Sequence, residues 1–191
     1  MVKFTSGKTK EKDRGKINKM GKNEVRKICG FYVNEWHLTT MILPYIHKEV
    51  EKENTIITIL QSGINENIKE ILSRMNLNQK LQKSILNIDW ESTKTLKYES
   101  IKEKIQNISK NQKDINILIN GEKEYIEIAN EMIEKVINET NIENRINILN
   151  CYNVTKFSNV SEIAKKHDFI INTAGIKKTE EAFNLGEQKD A

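Results

Sequence analysis

A chain of 191 residues, 37% hydrophobic and 30% charged with a net charge of +4, can bury one core of ordinary size and is too apolar to be disordered throughout. It contains no run of 18 apolar residues, which speaks against a transmembrane helix. Ile, Asn and Lys dominate, a bias that an AT-rich coding sequence produces, so the abundance of Asn and Lys carries little functional information.

Charge is unevenly spread along the chain. Residues 1–27 hold ten Lys/Arg against three acids, a net of +7, which leaves −3 for the remainder. Residues 1–26 have too few apolar side chains for a core and are expected to form a basic, flexible arm. Within it Lys8, Lys10, Lys12, Arg14 and Lys16 are the candidates for contact with nucleic acid, an acidic membrane or an acidic partner, against the simpler role of a solubilising tail. The arm also contains "SGKT" at Ser6–Thr9, the ending of a phosphate-binding loop. A full motif needs a Gly where Val2 stands and a buried strand ahead of it, so a Walker A site is not expected. The N-terminal region lacks an apolar segment for export, and the two cysteines, Cys29 and Cys151, are expected as free thiols of a cytoplasmic protein.

From residue 27 the chain alternates compact Ile/Val/Leu/Phe runs with helical patterns. The runs Ile28–Val33, Thr55–Leu60, Ser84–Asp89, Ile115–Asn120, Ile146–Tyr152 and Phe169–Thr173 have the length and composition of strands buried on both faces. Helices are expected at His37–Glu53, Asn65–Met75, Tyr98–Lys110, Glu122–Thr140 and Val160–Lys166. In the fourth, Ile126, Ala129, Ile133, Val136 and Ile137 form one apolar stripe. Pro44 should kink the first helix or delay its start. Such alternation implies one α/β domain over residues 27–176, a mostly parallel sheet sandwiched by helices, followed by a polar tail at 177–191.

Several chemistries lack their motifs. No G-x-G-x-x-G supports a dinucleotide site, and no G-x-S-x-G supports a hydrolase elbow. Gln61–Ser62–Gly63, after the second strand, offers one Gly and no Lys-Ser/Thr, so turnover of a nucleotide is not expected there either. The three histidines, His37, His47 and His167, form no close pair with one another or with cysteine. A zinc site is therefore not expected, although Cys29, Cys151 and His167 would be its ligands if their elements met. His37 and His47 read as helix-surface residues.

In an open α/β sheet, ligands bind beyond the carboxyl ends of the strands. That rule selects Tyr32 and Asn34, Ser62, Asn120 and Glu122, and Tyr152 and Asn153, whose rings, amides and hydroxyls suit a small-molecule pocket. Asn34 is also the expected N-cap of the first helix.

Three segments together resemble the MEDS family, sensory domains of methanogen and methylotroph regulators. "KICGFYVNEWHLTTMILPYI" has the family's opening strand and Pro-containing helix, with Cys29, Phe31, Tyr32 and Pro44 in the matching places and Lys27 where the family has His. "DINILINGEKEYIEIANEM" matches a strand ending in Gly-Glu, here Gly121 and Glu122, that leads into a long helix. "ILNCYNVTKFSNVSEIAKKHDFII" matches at Cys151, Tyr152 and His167, with Asn153 where Asp is usual. The resemblance covers about residues 26–175. It implies a degenerate RecA-like sandwich without a Walker A loop, and a role in sensing small hydrocarbon-derived molecules for attached transcription or kinase modules.

The combined expectation is a stand-alone, non-enzymatic sensory domain without cofactor or metal, which binds a small, partly apolar ligand and signals through a protein partner. Tyr32 and Tyr152 are expected as aromatic walls and Glu122 as a polar anchor. Asn34 and Asn153 lie beside them, and Cys29, Cys151 and His167 are secondary candidates. The alternative is an adaptor that binds protein or nucleic acid through the basic arm.

Overall fold

The structure, a computed structural model, describes residues 24–111, 114–140, 142–156 and 158–184. The five basic candidates between Lys8 and Lys16 lie outside these residues. Six strands form one sheet: β1 (Val25–Tyr32), β2 (Ile56–Leu60), β3 (Asp114–Gly121), β4 (Arg145–Asn153), β5 (Phe169–Asn172) and β6 (Gly175–Lys178). Their spatial order is β2-β3-β4-β1-β5-β6, parallel except for β6. The helices are α1 (Glu35–Glu51), α2 (Asn65–Arg74), α3 (Gln79–Leu86), α4 (Tyr98–Ser109), α5 (Lys123–Glu139), α6 (Val160–Ala164) and α7 (Thr179–Asn184). The expected architecture of a mostly parallel sheet between helical layers is the one observed.

Each face of the sheet carries its own core. On one face Ile28, Tyr32, Leu60, Leu118, Leu149 and Cys151 pack against α1, α2 and α3, with the fully buried Trp90 beneath them. On the other, Cys29, Ile57, Ile117, Ile119, Ile148 and Tyr152 pack against α4, α5 and α6. The assignment follows from strand alternation, because successive side chains leave a strand on opposite sides. Helix α5 turns the expected stripe inward, with Ile126, Ala129, Ile133 and Val136 fully buried. Truncating such an isoleucine, Ile133→Ala, should cost about 2–5 kcal/mol through lost contacts and the cavity left behind.

Asn34 caps α1 as expected: its Oδ1 accepts from the backbone N–H of His37 at 2.9 Å. The helix begins at Glu35 and runs through Pro44 without a break, so Pro44 neither ends nor delays it. Gly30 lets the helix come close to the sheet, because a Cβ there would stand 2.7 Å from Met41 Cε and 2.8 Å from Ile171 Cγ2.

Three elements differ from the sequence reading. Ser84–Asp89 is not a strand: Ser84 to Leu86 complete α3, which Asn78 caps through Leu81 N–H at 2.8 Å. Leu81 and Ile85 are four residues apart and both buried, a helical spacing that outweighed the short apolar run. Strand β1 starts at Val25, inside the segment expected as the arm. The residues expected as tail contribute Lys177 and Lys178 to β6, and then α7.

The outer edge of β2 is covered by its own chain. Thr93 donates its backbone N–H to Leu60 O at 2.6 Å, its Oγ1 accepts from Leu60 N–H at 3.3 Å, and Thr58 Oγ1 donates to Asp89 O at 2.5 Å. Trp90 anchors this segment, with its indole N–H on Ile85 O at 2.8 Å.

Candidate ligand site

The sheet changes winding direction between β1 and β4. From β1 the chain travels by way of α1 to the β2 edge, whereas from β4 it passes over β1 to reach β5. The carboxyl ends of these neighbouring strands form the crevice where α/β proteins bind ligands, and Tyr32, Asn34, Tyr152 and Asn153 all lie there.

Register divides them between the two faces. Tyr32 is paired with Asn153 and Phe31 with Tyr152, so Tyr32 enters the α1 core and Tyr152 the α5 core. The two rings, 1% and 4% exposed, are separated by the sheet and do not wall one pocket. Burial raises the pKa of both phenols, helped at Tyr32 by the negative groups Glu35 and Glu122 and at Tyr152 by Glu127. Both hydroxyls are therefore neutral at physiological pH.

The remaining candidates serve local structure. Asn34 is engaged as the α1 cap. Asn153 Oδ1 accepts from the backbone N–H and Oγ1 of Thr155 at 3.0 and 2.7 Å, closing an Asx turn after β4. Glu122 occupies the N-cap position of α5, where its backbone N–H meets Gln61 Oε1 at 2.6 Å. Asn120 is fully buried and donates to Ser62 O at 2.9 Å, joining the ends of β3 and β2, while its Oδ1 has no partner.

Cys29, Cys151 and His167 do not converge. Gly30 is paired with Cys151 and Cys29 with Asn150, so the thiols point to opposite faces. Burial pushes the Cys29 thiol up to about 12 and raises Cys151 as well, which keeps both protonated. His167 belongs to the Cys29 face, where its Nε2 meets the Asn150 amide at 3.1 Å and the Tyr152 hydroxyl at 3.4 Å. Phe31 stacks on Tyr152 and His167 meets the same ring edge-on, both with centroids 5.8 Å apart. This is a packed aromatic core with an internal hydrogen-bond network. Among the described residues no group of three or more His, Cys, Asp or Glu is placed to hold a metal ion.

A cavity of about 480 Å³ opens at the opposite end of the sheet, under the second half of α1. Met41, Pro44, Tyr45 and Lys48 line it from the helix at spacings of three, one and three, a single helical face. Ile28, Phe169, Ile171 and Ile176 supply an apolar floor from β1, β5 and β6. At its inner end Asn116 Oδ1 accepts from the Tyr45 hydroxyl at 2.8 Å and the Asn147 amide at 2.9 Å. The buried Glu49 accepts from Lys52 at 2.6 Å and Asn54 at 2.8 Å, with the Asn116 amide 3.5 Å away. The volume and the apolar floor with a few fixed polar groups suit a small molecule. A second cavity of about 630 Å³, between the end of α1 and α3, is lined by the buried Ile56 and Leu81 and the partly buried Val50 and Ile88, with Asn54, Asn78, Lys80 and Asn87 beside them.

The amino-end cavity escaped the sequence reading because its walls come from residues over 100 positions apart, and the carboxyl-end rule points away from it. Pro44 lies on its wall.

No protein-family model matches this chain, and no curated protein matches it. Among the described residues no helix is long and apolar enough to cross a membrane.

Proposed function

We propose that this chain is a non-enzymatic sensory or regulatory domain that binds a small, partly apolar molecule and passes the signal on through contact with another protein, in transcriptional or kinase control. The observation that carries the reading is the cavity beneath α1, with apolar side chains on its floor and the Tyr45–Asn116–Asn147 network at its inner end. Helix α1 forms one wall, so occupancy bears directly on the helix that leads out of the central strand β1. The resemblance of the Cys29–Pro44 segment to the MEDS sensory domains supports the same role.

The β1–α1 connection agrees with a non-nucleotide ligand. Only Val33 and Asn34 join the two elements, and the Asn34 side chain occupies the His37 N–H that a phosphate would otherwise approach. Native mass spectrometry of protein purified from its own host tests the proposal. The expected result is an adduct of a few hundred daltons that is released on activation and is missing from an Ile176→Trp variant, whose ring fills the cavity mouth. Identical bare masses for the two proteins, with no thermal shift from a panel of small apolar compounds, would sink it.

A further inference from the structure

The charges around the cavity allow its ligand to be specified further. Four cations line it, Arg26, Lys48, Lys52 and Arg145, against two acids, Glu49 and Asp114. Lys52 lies 2.6 Å from Glu49, Arg145 lies 3.2 Å from Asp114, and Arg26 lies 2.8 Å from Glu24 just outside the lining. Each acid thus has its own base. Lys48 is the fourth base, and among the described residues it has no ion-pair partner.

On the basis of the ligand-binding reading above, we infer that the cavity takes a small monoanion with an apolar body, with its carboxylate against Lys48 and its chain along Ile28, Phe169, Ile171 and Ile176. One uncompensated positive charge matches one negative charge; a dianion would have to draw Arg26 from Glu24, or a base from Glu49 or Asp114. A neutral ligand would leave Lys48 unanswered at the mouth. The apolar floor accounts for the body of the molecule, since covering the exposed Ile176 and the partly buried Phe169 removes apolar surface from water. Lysine suits a mouth of this kind because its long stem lies along apolar surface while the ammonium stays in water. Complementary charge adds orientation and selectivity to binding energy that the apolar contact supplies.

The test is calorimetric titration of the full-length protein with octanoate and with octan-1-ol, two probes of equal chain length that differ in charge. Octanoate is expected to bind roughly tenfold more tightly, the scale of one charge-assisted hydrogen bond. Its advantage should shrink as salt is raised. Lys48→Met should abolish the advantage of octanoate over octanol, and Ile176→Trp should weaken both probes. Equal or tighter binding of octanol overturns the anion assignment and leaves the ligand-binding reading standing. Octanoate binding that neither substitution alters overturns the assignment to this cavity. Binding of neither probe overturns the inference together with the reading it rests on.

Discussion

The side-chain amide of Asn150 donates to Nε2 of His167 at 3.1 Å, while Nδ1 of the same ring faces the carbonyl of Ile163 at 2.8 Å. Asn150 Oδ1 is held by the Asn130 amide at 3.2 Å, which fixes the Asn150 orientation. The network therefore assigns the ring proton to Nδ1 and requires a neutral imidazole.

Acid should weaken the fold through this ring. Burial lowers the His167 pKa from its ordinary 6.5, with Lys27 and Lys166 adding to the effect and the Ile163 carbonyl and Asp168 opposing it. Below pH 6.5 the unfolded chain binds a proton that the folded chain resists, so stability falls as pH drops from there toward the folded pKa. The slope cannot exceed about 1.4 kcal/mol per pH unit for one proton. Urea midpoints of wild type and His167→Gln, compared between pH 7.5 and pH 5.5, should show a smaller loss in the variant. Equal losses would remove His167 as the source.

Tyr32 should behave as a core residue. Its ring is 1% exposed, so Tyr32→Ala is expected to cost about 3–5 kcal/mol in chemical denaturation. The hydroxyl has no hydrogen-bond partner among the described residues, so Tyr32→Phe should stay within about 1 kcal/mol of wild type. A large loss in the phenylalanine variant would reveal a partner for the hydroxyl.

The two cysteines should be silent toward reagents. Both are fully buried and their thiols are held protonated by burial. Iodoacetamide at pH 8 should leave the native protein unmodified over a time in which the urea-unfolded chain takes up two labels, read by intact mass. Zinc should not protect either thiol, because they face opposite sides of the sheet.

Gly121 should resist replacement. Its φ is +151°, and a Cβ there would stand 2.4 Å from Gln61 Oε1, the atom that accepts from Glu122 N–H. Gly121→Ala is expected to destabilise by about 1–3 kcal/mol from backbone strain, with the collision added to it. Introducing Gln61→Ala as well should return only the share owed to Oε1, because Gln61 Cβ at 2.8 Å and Tyr125 Cδ1 at 3.0 Å still stand against the added methyl. Full recovery in that double variant would show that the φ itself costs nothing.

Much of the fold was legible because parallel strands buried on both faces leave continuous apolar runs, and five of the six strands did so. The sixth, β6, has Ile176 as its only sizeable apolar side chain and exists through pairing with β5, a tertiary cause invisible in "GIKK". Ser84–Asp89 was misread because a run of six cannot separate strand from helix by periodicity alone. The carboxyl-end rule placed Tyr32 and Tyr152 at the carboxyl ends of neighbouring strands, where both lie. It could not supply the one-residue offset that pairs Tyr32 with Asn153 and sends the tyrosines to opposite faces. Ion pairing around Lys48 was equally hidden, since Arg145 and Asp114 lie far from it in sequence.

The covering of the β2 edge by Asp89–Thr93 bears on how this protein can associate. A strand offered by another chain would have to displace the Thr93–Leu60 pair and free Trp90 before finding a backbone to bind, and at the other margin of the sheet it would meet Lys177 and Lys178. Both margins of the sheet thus disfavour pairing with a strand from another chain.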